Sequence, residues 1–256
     1  FRPRAQPTAM SSSAGKRKKA EQPTEQPKLK QQAARPVPSQ PKPKGKQPAV
    51  KEVPPRESAW FDQYVGVDDD YRRYMREEWG HEKRGDQPLF EKLCLEGAQA
   101  GLSWATILKK REAYRRAFHG FDIGKCAAMT AADVQRLLDD GRTGAASIVK
   151  NRAKVESVAR NARAVLELQK QGSSLDQFLW SYVGGAPRLH CRKVGAPCPS
   201  KDETSEAMSK ALKAKGFNFC GPTICYSLMQ SCGLIVDHPA GTPEYEDARR
   251  RLKERA

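Results

Sequence analysis

Cys94-Leu-Glu-Gly-Ala-Gln-Ala-Gly-Leu-Ser-Trp104 sets one carboxylate and one indole around a run of small residues. Phe90, Leu93, Gly97, Gly101, Trp104 and Leu108 recur at helical spacing, which predicts one broad apolar face through this region. Glu96 lies on or near that face. A carboxylate there is expensive to bury unless it is paired or functional; the alternative is a rim residue that reaches solvent. Gly97, Ala98, Ala100 and Gly101 strip bulk from its surroundings. Glycine inside a helix costs about 1 kcal/mol relative to alanine, so Gly97 and Gly101 together imply close approach by another body, either a neighbouring helix or a flat ligand. Trp104 follows Glu96 at close to two helical turns, which would turn both to nearly the same side. An acid and an indole over a small-residue floor suit a purine, whose ring stacks and whose exocyclic amine donates to the acid. An ordinary core tryptophan satisfies the same spacing.

Outward from this stretch the helical pattern persists. Pro88 suits a first helical turn. Asp122 to Leu138 reads as a short helix pair, with Thr130-Ala-Ala-Asp133 in the outline of a capping box. Val155, Val158, Ala162, Val165, Leu166 and Leu168 carry a longer helix closed near Gly172. Leu175 to Val183, Ser205 to Lys215 and Thr223 to Leu234 read as further helices, and a charged one opens near Pro243. The proline-rich segment from Pro187 to Ser200 reads as a loop. No segment alternates with period two. The expected fold class is all-α, with about seven or eight helices on this spacing.

The first 57 residues differ in kind. They hold 11 of the 18 prolines and no aromatic after Phe1, with 14 Lys and Arg against 4 Asp and Glu. Such a segment buries too little apolar surface to offset its ordering entropy, so 1–57 is expected to be a disordered basic tail. Lys16-Arg-Lys-Lys19 within it reads either as an import signal or phosphate contact, or as a solvated charge run. The whole chain carries +16, of which the tail holds +10. The body, expected as a domain over 58–242 followed by a charged C-terminal helix over 243–256, is only mildly basic. The charge is compatible with a polyanionic partner without identifying one. No apolar run is long enough to span a membrane. Seven scattered cysteines fit reduced thiols in an intracellular setting, nuclear or organellar in a eukaryote and cytoplasmic otherwise.

Two further motifs carry weaker signals. Lys150-Asn-Arg-Ala-Lys154 is a basic turn before an apolar helix, able to hold a phosphate or simply to join helices. Cys220, Cys225, Cys232 and His238, like Cys191 and Cys198 beside His190, lack a standard zinc spacing.

Taken in order, the motifs resemble the 3-methyladenine DNA glycosylase I family. The matching stretches are Tyr71-x-x-Tyr74 with Glu78-Trp-Gly80, then Leu89-Phe-Glu running into Leu95-Glu-Gly-x-Gln-Ala-Gly-Leu-Ser-Trp104. Ile107-Leu-Lys-Lys-Arg-Glu-x-Tyr114, Ile148-Val-x-Asn-Arg-x-Lys154 and Asn161-Ala-Arg163 follow. Gly216-Phe-x-Phe-x-Gly-Pro-Thr-x-x-Tyr-x-x-Met-Gln-x-x-Gly233 and Asp237-His238 complete the series. The resemblance covers Trp60 to Gly241 and leaves the basic tail outside.

It implies a helix-hairpin-helix glycosylase fold and hydrolysis of the N-glycosidic bond to 3-methyladenine in alkylated double-stranded DNA. Base flipping would precede the cleavage, and a monomer without lyase activity would leave an abasic site. On the family pattern Glu96 is the acid that reads the flipped base, Tyr71, Tyr74 and Trp104 are aromatic walls of its pocket, and Trp79 lies nearby as a further substrate-binding candidate. Lys150, Asn151, Arg152 and Lys154 would anchor DNA, while Gly101 and Leu102 at the mouth would fill the gap left by the extruded nucleotide. Many members bind zinc through an early Cys, a His, and a late His and Cys. Those positions here read Ser58, Met75, His238 and Thr242, so no metal and no other cofactor is expected. A non-catalytic DNA- or lesion-binding protein on the same fold is the competing reading. A helical scaffold whose tail binds RNA is weaker, because it leaves the small residues beside Glu96 unexplained.

Overall fold

The computed structural model describes residues 61–66 and 68–254; the tail expected over 1–57 lies outside them. Among the described residues the helices are α1 Asp62–Val65, α2 Asp69–Glu77, α3 Asp86–Gln99, α4 Trp104–Ala117, α5 Ile123–Ala128 and α6 Ala131–Asp139. They continue as α7 Arg152–Lys170, α8 Leu175–Ser181, α9 Glu203–Ala214, α10 Pro222–Ser231 and α11 Pro243–Lys253. The all-helical expectation holds. Two-residue strands, β1 Arg188–Leu189 and β2 Ile235–Val236, pair in parallel and are the departure from it. They are too short to show alternation. Arg188 N–H and His190 N–H donate to the Leu234 and Val236 carbonyls, pinning the proline-rich loop to the segment after α10.

The helix count exceeds the expected seven or eight for two reasons. Short α1 and α2 precede the apolar pattern, and the region from Phe90 to Leu108 is two helices rather than one continuous face. Gly101 adopts φ +75°, a left-handed conformation that interrupts the helix. Ser103 then caps α4 by accepting from the Thr106 N–H. Apolar periodicity runs through this break because both helices pack on the same core, so the pattern alone does not reveal it.

Local chemistry explains most other boundaries. Thr130 and Asp133 form the capping box at α6, and Ser174 with Gln177 and Asp202 with Ser205 form two more, at α8 and α9. Gly221 and Pro222 open α10. Every residue from Leu89 to Ala98 except Glu91 is buried, so α3 is enclosed nearly all round by α4, α7, α8 and α10. The 19-residue α7 packs across α5, α6 and α3. Tyr245 and Ala248 of α11 are buried too. None of the described helices is long and apolar enough to cross a membrane.

Candidate active site

Because α3 is buried on all sides, its polar residues have to satisfy one another. Glu96 is only 2 % exposed. One turn earlier, at i−4 on the same helix, Lys92 is also buried and places Nζ 3.1 Å from Glu96 Oε1. The Lys92 ammonium donates to the Tyr74 hydroxyl at 2.6 Å. It also lies over the Trp104 ring, 3.5 Å from its centroid, and 4.8 Å from the Tyr74 centroid. The Ser231 hydroxyl, from the end of α10, donates to Glu96 Oε1 at 3.1 Å. The result is a carboxylate, a phenol and an indole closed around one cation.

The aromatic members come from different elements. Asp68 caps α2 by accepting from the Tyr71 N–H, and that helix carries both Tyr71 and Tyr74. Their rings lie 6.2 Å apart, and Tyr74 lies 5.3 Å from Trp104. Glu96 and Trp104 therefore share a site, but not as two turns of one helix: the chain breaks between them, and α4 returns Trp104 beside Lys92. Burial, reinforced by the nearby Glu96 carboxylate, pushes the Tyr74 phenol well above its ordinary pKa and Tyr71 in the same direction. Both are neutral donors at physiological pH. Burial pulls Lys92 below the usual lysine value, against the pull of Glu96.

Two polar atoms in this cluster lack a partner. Glu96 Oε2 is a buried acceptor and Trp104 Nε1 a buried donor, neither with a hydrogen bond. Leaving such groups unsatisfied costs about 1–3 kcal/mol each, so the cluster is prepared for something offering both a donor and an acceptor.

The small residues divide by role. A Cβ at Gly97 would stand 3.0 Å from Phe219 Cβ and 3.3 Å from the Phe219 carbonyl oxygen. The body that approaches Gly97 is thus the loop before α10, and the expectation of a floor for a flat ligand is corrected there. Gly101 supplies the turn. Leu102 beside it is 41 % exposed, and with Val194 it is one of two large hydrophobics exposed among the described residues.

The basic turn lies in the segment that joins α6 to α7, two helices packed against each other. This segment carries a 3-10 turn at Gly144–Ala146, and Asn151 is the N-cap of α7, accepting from the Lys154 N–H. The Lys154 ammonium reaches the Ala98 carbonyl at 2.9 Å and also the Ala100 carbonyl. It neutralises the C-terminal end of α3, where cations are favoured. Burial lowers its pKa. Lys150 donates to the Asp140 carbonyl, and Arg152 contacts Gln135 and Glu156. Lys150, Asn151 and Arg152 are exposed, whereas Lys154 is partly buried and engaged within the protein.

Trp79 meets the His238 ring edge-on at 5.0 Å. Of the family's zinc positions, Ser58 lies outside the described residues. Met75, His238 and Thr242 are buried, and Thr242 Oγ1 accepts from the Tyr245 N–H to cap α11 and donates to the Pro239 carbonyl. A thioether and a hydroxyl already used in capping do not suit zinc. Among the described residues, no group of three or more His, Cys, Asp or Glu is arranged to hold a metal ion. Neighbouring Asp237 is buried and accepts from Tyr226 and Gln230, at 3.2 and 2.8 Å. Arg192 Nε lies 3.4 Å from its other oxygen.

Lys92 and Ser231 are the members that sequence reasoning missed. The i, i+4 spacing to Glu96 was a usable signal for Lys92. Ser231 arrives from 135 residues away and carries no local signal.

Comparison with known proteins places this geometry in context. The sequence model of the methyladenine glycosylase family matches residues 64–245. DNA-3-methyladenine glycosylase 1 of Escherichia coli (strain K12) is 46 % identical over 178 residues, 70 % of this chain and 92 % of that protein. The DNA-3-methyladenine glycosylase of Haemophilus influenzae is 46 % identical over 175 residues, covering 68 % and 92 %. Among solved structures, one of 3-methyladenine DNA glycosylase I from Staphylococcus aureus, described as the basis of 3-methyladenine recognition, aligns with TM-score 0.68 at 36 % identity. That alignment covers 73 % of this chain and 98 % of the other. A crystal structure of 3-methyladenine DNA glycosylase I aligns with TM-score 0.66 at 44 % identity, covering 70 % and 96 %. With its aromatic–carboxylate cluster held in this fold, the chain belongs to the methyladenine glycosylase family.

Proposed function

We propose that this chain excises 3-methyladenine from alkylated double-stranded DNA, acting as a monomer by hydrolysis and leaving an abasic site. The observation that carries the reading is the buried cluster in which Glu96 Oε2 and Trp104 Nε1 stand unfilled between aromatic rings. An adenine offers an exocyclic N–H donor and ring-nitrogen acceptors, and its faces stack on Trp104 and Tyr74. Reaching this enclosed cluster requires the nucleotide to leave the helix stack, and a damaged base leaves more cheaply.

The chemistry follows from charge. A 3-methylated adenine in DNA is cationic, so it is already a good leaving group and needs no protonation. Electron-rich rings and the Glu96 carboxylate favour the cation. Glu96 contacts the base rather than the sugar in this reading, and it is a base-reading residue. Leu102, exposed at the turn beside Gly101, is the apolar side chain suited to fill the vacated space. Lys150, Arg152 and the N–H groups at the start of α7 contact the phosphates, positioning DNA without reading sequence. Lys154 acts indirectly, by holding the end of α3.

Incubating the purified protein with methylated duplex DNA and identifying the released bases tests this directly. 3-Methyladenine should be released, with strand breaks appearing only after alkaline treatment. Lesion binding without release would leave a non-catalytic lesion binder; breaks before alkali would contradict the hydrolytic mechanism.

A further inference from the structure

The cage that suits a cationic purine already contains a cation. Lys92 Nζ stands 3.5 Å from the centroid of Trp104, against one face of the ring. It also occupies Glu96 Oε1 and the Tyr74 hydroxyl, at 3.1 and 2.6 Å. Two cations cannot share one buried carboxylate without strong repulsion, because the surroundings screen poorly. A base that stacks on this face of Trp104 must therefore move the ammonium. The far side of Lys92 opens on a cavity shared with Trp104, Glu78, Glu91, Arg111 and Arg115. Glu78 and Glu91 bring carboxylates there, bound to Arg111 and Arg115 respectively, and the Lys92 stem is long enough to turn toward them.

We infer that Lys92 is a resident cation that fills the base cage in the free protein and is exchanged for the positively charged base. This rests on the reading of the cage as a purine site and adds a specificity-determining residue to it. Breaking a buried ion pair is strongly unfavourable when one charge is left uncompensated. An incoming base that carries positive charge restores the compensation of Glu96; a neutral adenine does not. Lys92 thus makes charge the condition of entry.

The titratable groups facing Lys92 are Glu96 on its own helix, Tyr74 and Glu78 from α2 and the residue after it, and Cys232 after α10. Across the cavity stand Lys83, before α3, Glu91 on α3, and Arg111 and Arg115 on α4. Burial raises Tyr71 and Tyr74 and takes the Cys232 thiol to about 12, so these stay neutral at mildly alkaline pH. Burial draws Lys92 below its ordinary value.

The test is calorimetric titration of the full chain with the 3,9-dimethyladeninium cation. Lys92→Met should bind it about tenfold more tightly than the wild type, the scale of a desolvated cation–π contact regained. Lys92→Arg, which keeps its charge, should not bind more tightly than the wild type. Wild-type affinity should rise as the pH is raised and Lys92, its pKa lowered by burial, loses its proton and stops competing. The Met variant should be flat, and it controls for titration of the probe. Equal or weaker binding by a folded Met variant, a wild-type affinity that does not rise with pH, or no binding of the cation would overturn the exchange. Should Lys92→Met not fold, Lys92→Gln, neutral and of similar length, takes its place in the same titration. If methylated DNA yields no 3-methyladenine while Lys92→Met still binds the cation more tightly, the functional reading fails and the exchange stands. Release without the gain in affinity overturns the exchange and leaves the functional reading standing.

Discussion

Lys92, Glu96, Tyr74 and Trp104 contribute differently to one site, and their substitutions should separate accordingly. Trp104→Ala removes a stacking surface worth about 1–3 kcal/mol per base. It should lower 3-methyladenine release about tenfold or more while leaving affinity for undamaged duplex nearly unchanged, as read by parallel excision and binding assays. Glu96 and Trp104 were legible in the sequence from their small-residue surroundings, Tyr74 only through the resemblance to the family's motifs. Lys92 was not. A lysine in a helical pattern ordinarily marks the solvated face, and only the all-round burial of α3 shows that this one has no such face.

The junction of α3, α4 and α7 is decided at the scale of elements. Lys154 ties the N-terminal turn of α7 to the last carbonyls of α3, one residue before Gly101 and Leu102. Lys154→Met should cost about 1 kcal/mol, the scale of a cation at a partly buried helix C-terminus, and lower the melting temperature by a few degrees. Lys150→Ala should instead leave melting unchanged and reduce the salt slope of DNA binding by about one unit. Gly97→Ala should destabilise by about 1–3 kcal/mol, since its methyl meets Phe219 in a packed interface; chemical denaturation would measure it. The helices were largely legible from periodicity and caps, as at Thr130 and Asp133. The break at Gly101 was not, because apolar spacing continues across it, and the role of Lys154 depends on a partner 54 residues away in the chain.

At the scale of the whole molecule, the described residues hold an aromatic–carboxylate cluster around Glu96, while Met75 and Thr242 are side chains that do not suit zinc. Phe61 and Met75 are buried near the start of the described residues, and Tyr245 and Ala248 near their end. Asp237 binds Arg192, Tyr226 and Gln230. Metal analysis of purified protein should find no stoichiometric zinc, and chelators should leave its melting temperature unchanged; one zinc per chain would contradict this. The family was legible because its motifs are local and ordered along the chain. The Asp237 cluster was not, since it gathers residues from the proline-rich loop, α10 and β2. The cage around Glu96 is proposed to read a cationic purine for excision. The most direct measurement is the single-turnover rate of 3-methyladenine release from a methylated duplex, compared between the wild type and Glu96→Gln. Measurable release that falls about tenfold or more in the Gln variant, with duplex affinity retained, is the expected result, on the scale of a lost hydrogen bond to a charged group. Equal rates in the two proteins, or none in the wild type, would contradict it.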